Sequence, residues 1–186
     1  MDHYLDIQVR PDPEFPVNTL LGALVSKLHR ALVELKANDL GISLPEYEQE
    51  PPLGKTLRLH GTDTRLGALM ETGWLRGMRD HLEISEVQAV PAEAAHLVVR
   101  RRQYKTNVER LRRRRMKRHN ESYEEAVRHI PDSVERKVKM PYVTVRSQSS
   151  GQAFSLFIEH GECQQIPVAG TFNTYGLSQG ATVPWF

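Results

Sequence analysis

Along the first ninety residues the apolar positions switch between a period of two and a period near 3.6. In YLDIQVR (4–10), Leu5, Ile7 and Val9 alternate with polar neighbours, which predicts a strand. Pro11, Pro13 and Pro16 break the pattern. From Leu20 to Leu35 the apolar residues fall at 20, 21, 24, 25, 28, 31, 32 and 35, one helical stripe. GISLP (41–45) and TLRLHG (56–61) predict two short strands around a Pro-rich acidic loop. Leu66 to His81 predicts a helix interrupted at Gly73. HLEISEVQAV (81–90) predicts a fourth strand, in which Leu82, Ile84 and Val87 alternate only roughly. The order β-α-β-β-α-β predicts a ferredoxin-like domain over residues 1–93. That arrangement serves many functions and fixes none.

Residues 94–186 have another texture, and the chain as a whole is predicted to be α+β. A linker, VVRRRQYKTN (98–107), leads to a capping box of Thr106 and Glu109, which predicts a helix running to about His119. Only Val108, Leu111 and Met116 on it are clearly apolar, too narrow a stripe for burial on several sides. Ser122 and Glu125 form a second capping box, and Pro131 closes that helix. Four strand candidates follow: YVTVRS (142–147), FSLFIEH (154–160), FNTYGLS (172–178) and ATVPWF (181–186), with glycines between them.

Charge changes this picture more than composition does. The 186 residues are 39% apolar and 26% charged, ordinary for a folded chain. The single Cys163 excludes an internal disulfide and a multi-cysteine zinc site. No apolar run nears the roughly 20 residues that span a bilayer. The N-terminus carries no signal core. A non-membrane protein of a reducing cytoplasm is expected. The net charge is +2, yet Arg100 to Arg118 holds eleven Lys or Arg and one acid, a net +10 that leaves −8 elsewhere. A basic segment on an acidic body points to a localised polyanion contact.

Seven Lys or Arg on a helix of about one dozen residues repel one another, and phosphate relieves that repulsion. The arginine fork suits phosphate. A duplex RNA major groove is too narrow for a helix except near a helix end or a hairpin loop. TLRLHGT has no Phe or Tyr with which to stack splayed bases, so the binding burden falls on the helix and its linker, which favours a structured duplex. In extended chain Arg101 and Gln103 point the same way. Arg pairs bidentately with guanine and Gln with adenine, so the two can read neighbouring bases.

No H-E-x-x-H, C-x-x-C, P-loop or G-x-S-x-G occurs, and no acidic cluster resembles a two-metal site. No metal and no cofactor are expected. RNA carries its own nucleophile: a base removes the 2′-hydroxyl proton, and the oxygen attacks the adjacent phosphorus. Histidine is the natural base near neutral pH. Of eight histidines, His29 lies on the flank of the first helical stripe, where a side chain can face a cleft. His119 ends the basic helix and suits a phosphate contact. In RSQSSGQ (146–152) the serine hydroxyls suit a ribose, and Phe154 after it suits stacking on a terminal base pair.

NVERLRRRRMKRH (107–119), VTVRSQSSGQAFSLFIEHG (143–161), TYGLSQG-ATVPWF (174–186), the opening MDHYLDIQVRPDPEFP and SKLHR around His29 together resemble the type I-F CRISPR repeat-processing endoribonuclease family. The likeness covers essentially the whole chain. It implies metal-independent cleavage of precursor CRISPR RNA at the 3′ base of the repeat hairpin, retention of the product, and assembly with other subunits of the type I-F surveillance complex. It implies that His29 is the general base, that Ser147 holds the 2′-hydroxyl and that Tyr175 orients the histidine. Arg101 and Gln103 would read the last base pairs of the stem. Arg113, Arg114, Lys117, Arg118 and His119 would contact phosphates. Phe154 would stack on the closing pair, and Ser149 would hold the strand near the cut. Residues 94–186 would form the RNA-binding region. Lys117 stands where the family favours Arg, which keeps charge without the fork. In RRRQ, Arg100 or Arg102 is the base reader if the register shifts by one. Two rivals are a non-catalytic subunit that binds structured RNA, which would lack the His29, Ser147 and Tyr175 set, and a dimeric DNA-binding regulator.

Overall fold

A computed structural model describes residues 1–47, 53–104, 108–134, 139–147 and 151–186. β1 (His3–Val9) buries Leu5, Ile7 and Val9 on one face, as its alternation dictates. α1 (Val17–Glu34) starts directly after Pro16 and buries its stripe from Leu20 to Leu32. It ends in a Schellman turn: Ala37 donates to the Leu32 carbonyl and Lys36, at φ +49°, to that of Val33. β2 (Gly41–Ser43) and β3 (Thr56–Gly61) follow, and then α2 (Asp63–Glu71), whose first turn is capped by the Thr62 hydroxyl. The helix expected to reach His81 stops earlier. Gly73 at φ +66° turns the chain, and only a short 3-10 turn, Arg79–His81, succeeds it.

β4 (Leu82–Ile84) and β5 (Gln88–Ala89) replace the single strand expected over 81–90. Both pair with β1, and between them Ser85 bonds back to Asp6, its hydroxyl accepting from the Asp6 N–H. The imperfect alternation of Leu82, Ile84 and Val87 is the trace of that break. The sheet runs β2-β3-β1-β4 with every pairing antiparallel.

The later strands are β6 (Ala95–Leu97) and β7 (Val99–Arg102), the second inside the expected linker. The helices α3 (Val108–His119) and α4 (Tyr123–His129) come next. β8 (Tyr142–Arg146), β9 (Ala153–His160) and β10 (Val183–Trp185) complete the chain. β7-β9-β8 form one sheet, in which Arg102 and Tyr142 both pair with Phe157 from opposite sides. β6 and β10 form another pair. The strand expected over 172–178 is instead a turn with one bridge, Phe172 to Ser178, because Gly176 at φ +71° cannot continue an extended strand. Thr106, of the first expected capping box, lies outside the described residues, whereas the second forms reciprocally between Ser122 and Glu125.

The protein is mixed α+β with antiparallel sheets. The contacts do not divide it at residue 93: one compact unit gathers 1–102 and 140–186, the other 103–139. In the first unit α1 packs on β1 and β8. Gly22 makes the approach to β8 possible, since a Cβ there would stand 2.3 Å from the Thr144 carbonyl oxygen. The face of β3 turned from Leu57 and Leu59 buries polar groups. Arg58 pairs with Asp6 at 2.7 Å between the rings of Tyr4 and Phe186. His60 bonds Ser43 at 2.8 Å, and His160 lies between Tyr47 and Trp185. Burial pushes His60 down to about 3 and His160 to about 4. No helix among the described residues is long and apolar enough to cross a membrane.

Candidate active site

His29 lies on α1 two turns beyond Gly22, half-buried on the rim of the apolar stripe. Two consecutive residues of the 172–178 turn hold it. Its Nδ1 is 2.9 Å from the Thr174 carbonyl oxygen, and its ring lies parallel to Tyr175, 4.0 Å between centroids and 2° between planes. A carbonyl oxygen only accepts, so Nδ1 carries the hydrogen. In the neutral imidazole the lone pair is then on Nε2, ready to take a proton. Tyr175 is held above the ordinary phenol range by burial, an effect that the nearby positive charge of Arg101 opposes.

Arg101 comes from β7, and strand alternation separates it from its neighbours. Arg100 and Arg102 turn to the carboxylate of Glu159; Arg102 approaches it at 3.0 Å. Arg101 faces the other way, its guanidinium 5.4 Å from the centre of the Phe154 ring. Phe154 packs part-buried against the core at one end of β9. Ser147 follows β8, its N–H donating to the Gln152 carbonyl at 2.8 Å and its own carbonyl accepting from Gly151. Gln103 is exposed one residue past β7. Ser149 lies outside the described residues. The geometry thus gives two pairs, Arg101 near Phe154 and Tyr175 stacked on His29.

In the second unit, the cations of α3 divide into two sets. Arg112 is 5% exposed and held on all sides: it donates to Glu109, to Asp132 at 2.7 Å and to the Ile130 carbonyl. Arg115 forks onto both oxygens of Glu121. These arginines tie α3 to α4 and its flanks. Arg113, Arg114, Lys117, Arg118 and His119 are all exposed, and Asn120 at φ +55° ends the helix behind them. Arg114, Arg118 and His119 rim a groove of about 280 Å³ floored by Leu111 and Ile130. All five residues expected to contact phosphate are thus exposed, and so is Arg110, which was not among them. The structural duty of Arg112 was readable in part, because Glu109 precedes it by three residues. The duty of Arg115 was not, its partner lying beyond the helix end. Thr174 and Gly22 were missed as well: a backbone carbonyl and an absent side chain leave no chemical signal in a sequence.

Among the described residues no group of three or more His, Cys, Asp or Glu side chains converges to hold a metal ion. Residues 4–186 match the family described as CRISPR-associated protein (Cas_Csy4). The chain belongs to this family. Similarity at 50% identity over 187 residues, covering 100% of both chains, links it to the "CRISPR-associated endonuclease Cas6/Csy4" of Pseudomonas aeruginosa (strain UCBPP-PA14). A second Cas_Csy4 relative, the "CRISPR-associated endonuclease Cas6/Csy4" of Escherichia coli (strain UTI89 / UPEC), is 42% identical over 186 residues, again 100% of both chains. A solved structure described as "An RAMP protein binding different RNA substrates" covers 98% of this chain and 99% of its own at 11% identity, but its TM-score of 0.34 is too low to carry weight.

Proposed function

We propose that this Cas_Csy4 protein is an endoribonuclease that cleaves precursor CRISPR RNA at the 3′ base of the repeat hairpin, using the RNA's own 2′-hydroxyl, and then keeps its product. The observation that carries this reading is the anchoring of His29 Nδ1 to the Thr174 carbonyl, which leaves Nε2 as a base. Nε2 takes the 2′-hydroxyl proton, and the oxygen bonds to the adjacent phosphorus. The bond from phosphorus to the 5′-oxygen breaks, and that oxygen takes up a proton. A 2′,3′-cyclic phosphate and a 5′-hydroxyl result. Ribose supplies the nucleophile and His29 the base, so the step needs no metal. A general base contributes roughly 10²–10⁴ in rate.

In this reading Tyr175 fixes the imidazole plane by stacking, and Ser147 holds the hydroxyl in line with the bond that breaks. Arg101 and Gln103 read the final base pairs of the stem, with Arg101 steadied by Phe154, which also stacks on the closing pair. Arg113, Arg114, Lys117, Arg118 and His119 contact the phosphates, and Ser149 holds the strand near the cut. The RNA contacts thus concentrate in residues 94–186. The first ninety-three residues are read as ferredoxin-like, supported by their β-α-β-β-α-β order and the sheet order β2-β3-β1-β4. The protein works in the cytoplasm and, with its product RNA still bound, joins the other subunits of a type I-F surveillance complex.

The test is incubation with repeat hairpin RNA in EDTA, beside a substrate with a 2′-deoxy nucleotide before the cut. Cleavage is expected to persist in EDTA and to stop on the deoxy substrate. His29→Ala is expected to abolish cleavage and leave hairpin affinity within a few-fold, under about 1 kcal/mol. Cleavage of the deoxy RNA, or a wild-type rate from His29→Ala, overturns the mechanism.

A further inference from the structure

We propose that Asn173 is a positioning residue for the cleavage step, acting on His29 through the peptide unit that joins Thr174 to Tyr175. The proposal rests on the reading of His29 as the base. In the 172–178 turn the Asn173 side-chain oxygen accepts from the Tyr175 N–H at 2.8 Å and from the Leu177 N–H at 3.2 Å. Its backbone is committed too: the N–H donates to Leu177 and the carbonyl accepts from Gly176, each at 2.8 Å. Asn173 is thus joined to Tyr175, Gly176 and Leu177, the three residues that form the far side of the turn.

The Tyr175 N–H and the Thr174 carbonyl belong to one peptide unit. In a trans peptide these two groups point in opposite directions across a rigid plane. Holding the N–H toward the Asn173 oxygen therefore aims the carbonyl outward, and there it meets His29 Nδ1 at 2.9 Å. The result is a relay: the Asn173 oxygen, the peptide N–H, the peptide carbonyl, Nδ1–H, and then the free lone pair on Nε2. Bonds in such a chain polarise one another, so the carbonyl is a better acceptor with its N–H bonded than without. The relay fixes two properties of the base together, its tautomer and its electron density, while the Tyr175 stack sets its plane. Asparagine does this without adding a charge beside the RNA.

The rest of the turn is pinned where it must be for the relay to work. Gly176 accepts from the Ile42 N–H of β2 at 2.9 Å, and a Cβ on Gly176 would lie 2.7 Å from the Ile42 side chain. Phe172 donates to Asn38, just before β2, and Ser178 to Val99 of β7. These contacts locate the turn on the first unit. None of them sets the rotation of the 174–175 peptide, which leaves that rotation to Asn173.

The experiment compares Asn173→Ala, Asn173→Ser and Asn173→Asp in the full chain, with His29→Ala alongside. Single-turnover cleavage, hairpin affinity and the nitrogen NMR signature of the His29 tautomer are read together. Ser and Asp each keep an oxygen that accepts from the N–H two residues on, as Asn does. Asn173→Ala is expected to slow cleavage by about 10–100-fold, the range found when a group that orients a metal-ligating histidine is removed. It should leave affinity within a few-fold and shift His29 away from a pure Nδ1–H form. Ser and Asp are expected to restore the tautomer and most of the rate. A merely structural role for Asn173 would lower thermal stability and leave the tautomer untouched. Wild-type rate and tautomer in Asn173→Ala, with His29→Ala inactive, overturn the relay and leave His29 as the base. Activity in His29→Ala overturns the base reading itself. If Asn173→Ala fails to fold, Asn173→Leu, which keeps the bulk of the side chain without its oxygen, decides: a folded Leu variant with wild-type rate and tautomer also overturns the relay.

Discussion

Three consecutive arginines illustrate how much one residue's meaning depends on the strand it occupies. Arg100, Arg101 and Arg102 are chemically identical, and a sequence offers only their spacing from Gln103. Once β7 pairs with β9, alternation sends Arg100 and Arg102 to Glu159 and turns Arg101 toward Phe154. An arginine already neutralised by a carboxylate has less to give a guanine. Arg101→Ala is accordingly expected to lower discrimination between matched and mismatched stems by roughly 1–3 kcal/mol. Arg100→Ala and Arg102→Ala should leave discrimination unchanged. Competition binding with paired hairpins measures this, and equal losses from all three would refute the assignment. The flank position of His29 was legible in the sequence because an apolar stripe is a periodic fact, whereas its reading as the base came from the family resemblance. Its anchor was not legible, because a carbonyl oxygen has the same identity at every residue.

At the scale of the element, α3 was legible as a charged helix but not as a divided one. Its pattern of seven cations does not say that Arg112 and Arg115 are turned inward onto Glu109, Asp132 and Glu121. That division has a measurable consequence. Each phosphate neutralised in duplex-like RNA adds about 0.9 to the slope of log affinity against log salt. Arg113, Arg114, Lys117 and Arg118 are the exposed cations of the predicted set, so the helix should account for a slope of about −3 to −4. Arg114→Ala is expected to make the slope shallower by about one. Arg112→Ala should weaken binding by loosening α3 from its acidic partners, and leave the slope as it was. Filter binding across a salt series separates the two, and a slope change from Arg112→Ala would count against its structural duty. The turn at 172–178 was misread as a strand for a related reason. The segment FNTYGLS was expected to extend, but the Asn173 side chain outcompetes any ladder for the Tyr175 and Leu177 N–H groups.

For the whole molecule, the buried histidines of the first unit set its behaviour in acid. His60 and His160 take no part in the proposed cleavage, and burial holds them at about 3 and about 4 against an ordinary 6.5. Above pH 6.5 both are neutral whether the chain is folded or not, and their contribution is fully present. Below it only the unfolded chain takes up the protons, so stability falls with falling pH until the folded values are reached. The steepest loss is about 1.4 kcal/mol per pH unit for each histidine. Urea titrations from pH 7 to 4 should show this decline, and His160→Phe should make it shallower. An unchanged acid limb in that variant would assign the lability elsewhere.

The pairing of Arg102 and Tyr142 with the same residue, Phe157, says something about ancestry and engineering that neither unit says alone. The chain leaves β7 and re-enters at β8 on the two flanks of one strand, a gap of roughly 10 Å. Both strands run antiparallel to β9 and so parallel to each other, and a connection between them has to cross over β9, which takes about a dozen residues or more. The thirty-seven residues between, 103–139, are therefore a cassette plugged into a continuous scaffold rather than a domain at its end. A Gly-Ser crossover of about a dozen residues or more in their place should leave a chain that melts cooperatively and retains the His29–Tyr175 stack, but has lost hairpin affinity by more than about 100-fold. Circular dichroism with filter binding tests both halves of that statement, and failure of the bridged chain to fold would show that the scaffold depends on its insert. The corollary is portability: cassettes from other members of the family, spliced at the same two strand ends, would change the strength and salt dependence of RNA binding, while base reading by Arg101 and the bond-breaking machinery stay with the scaffold.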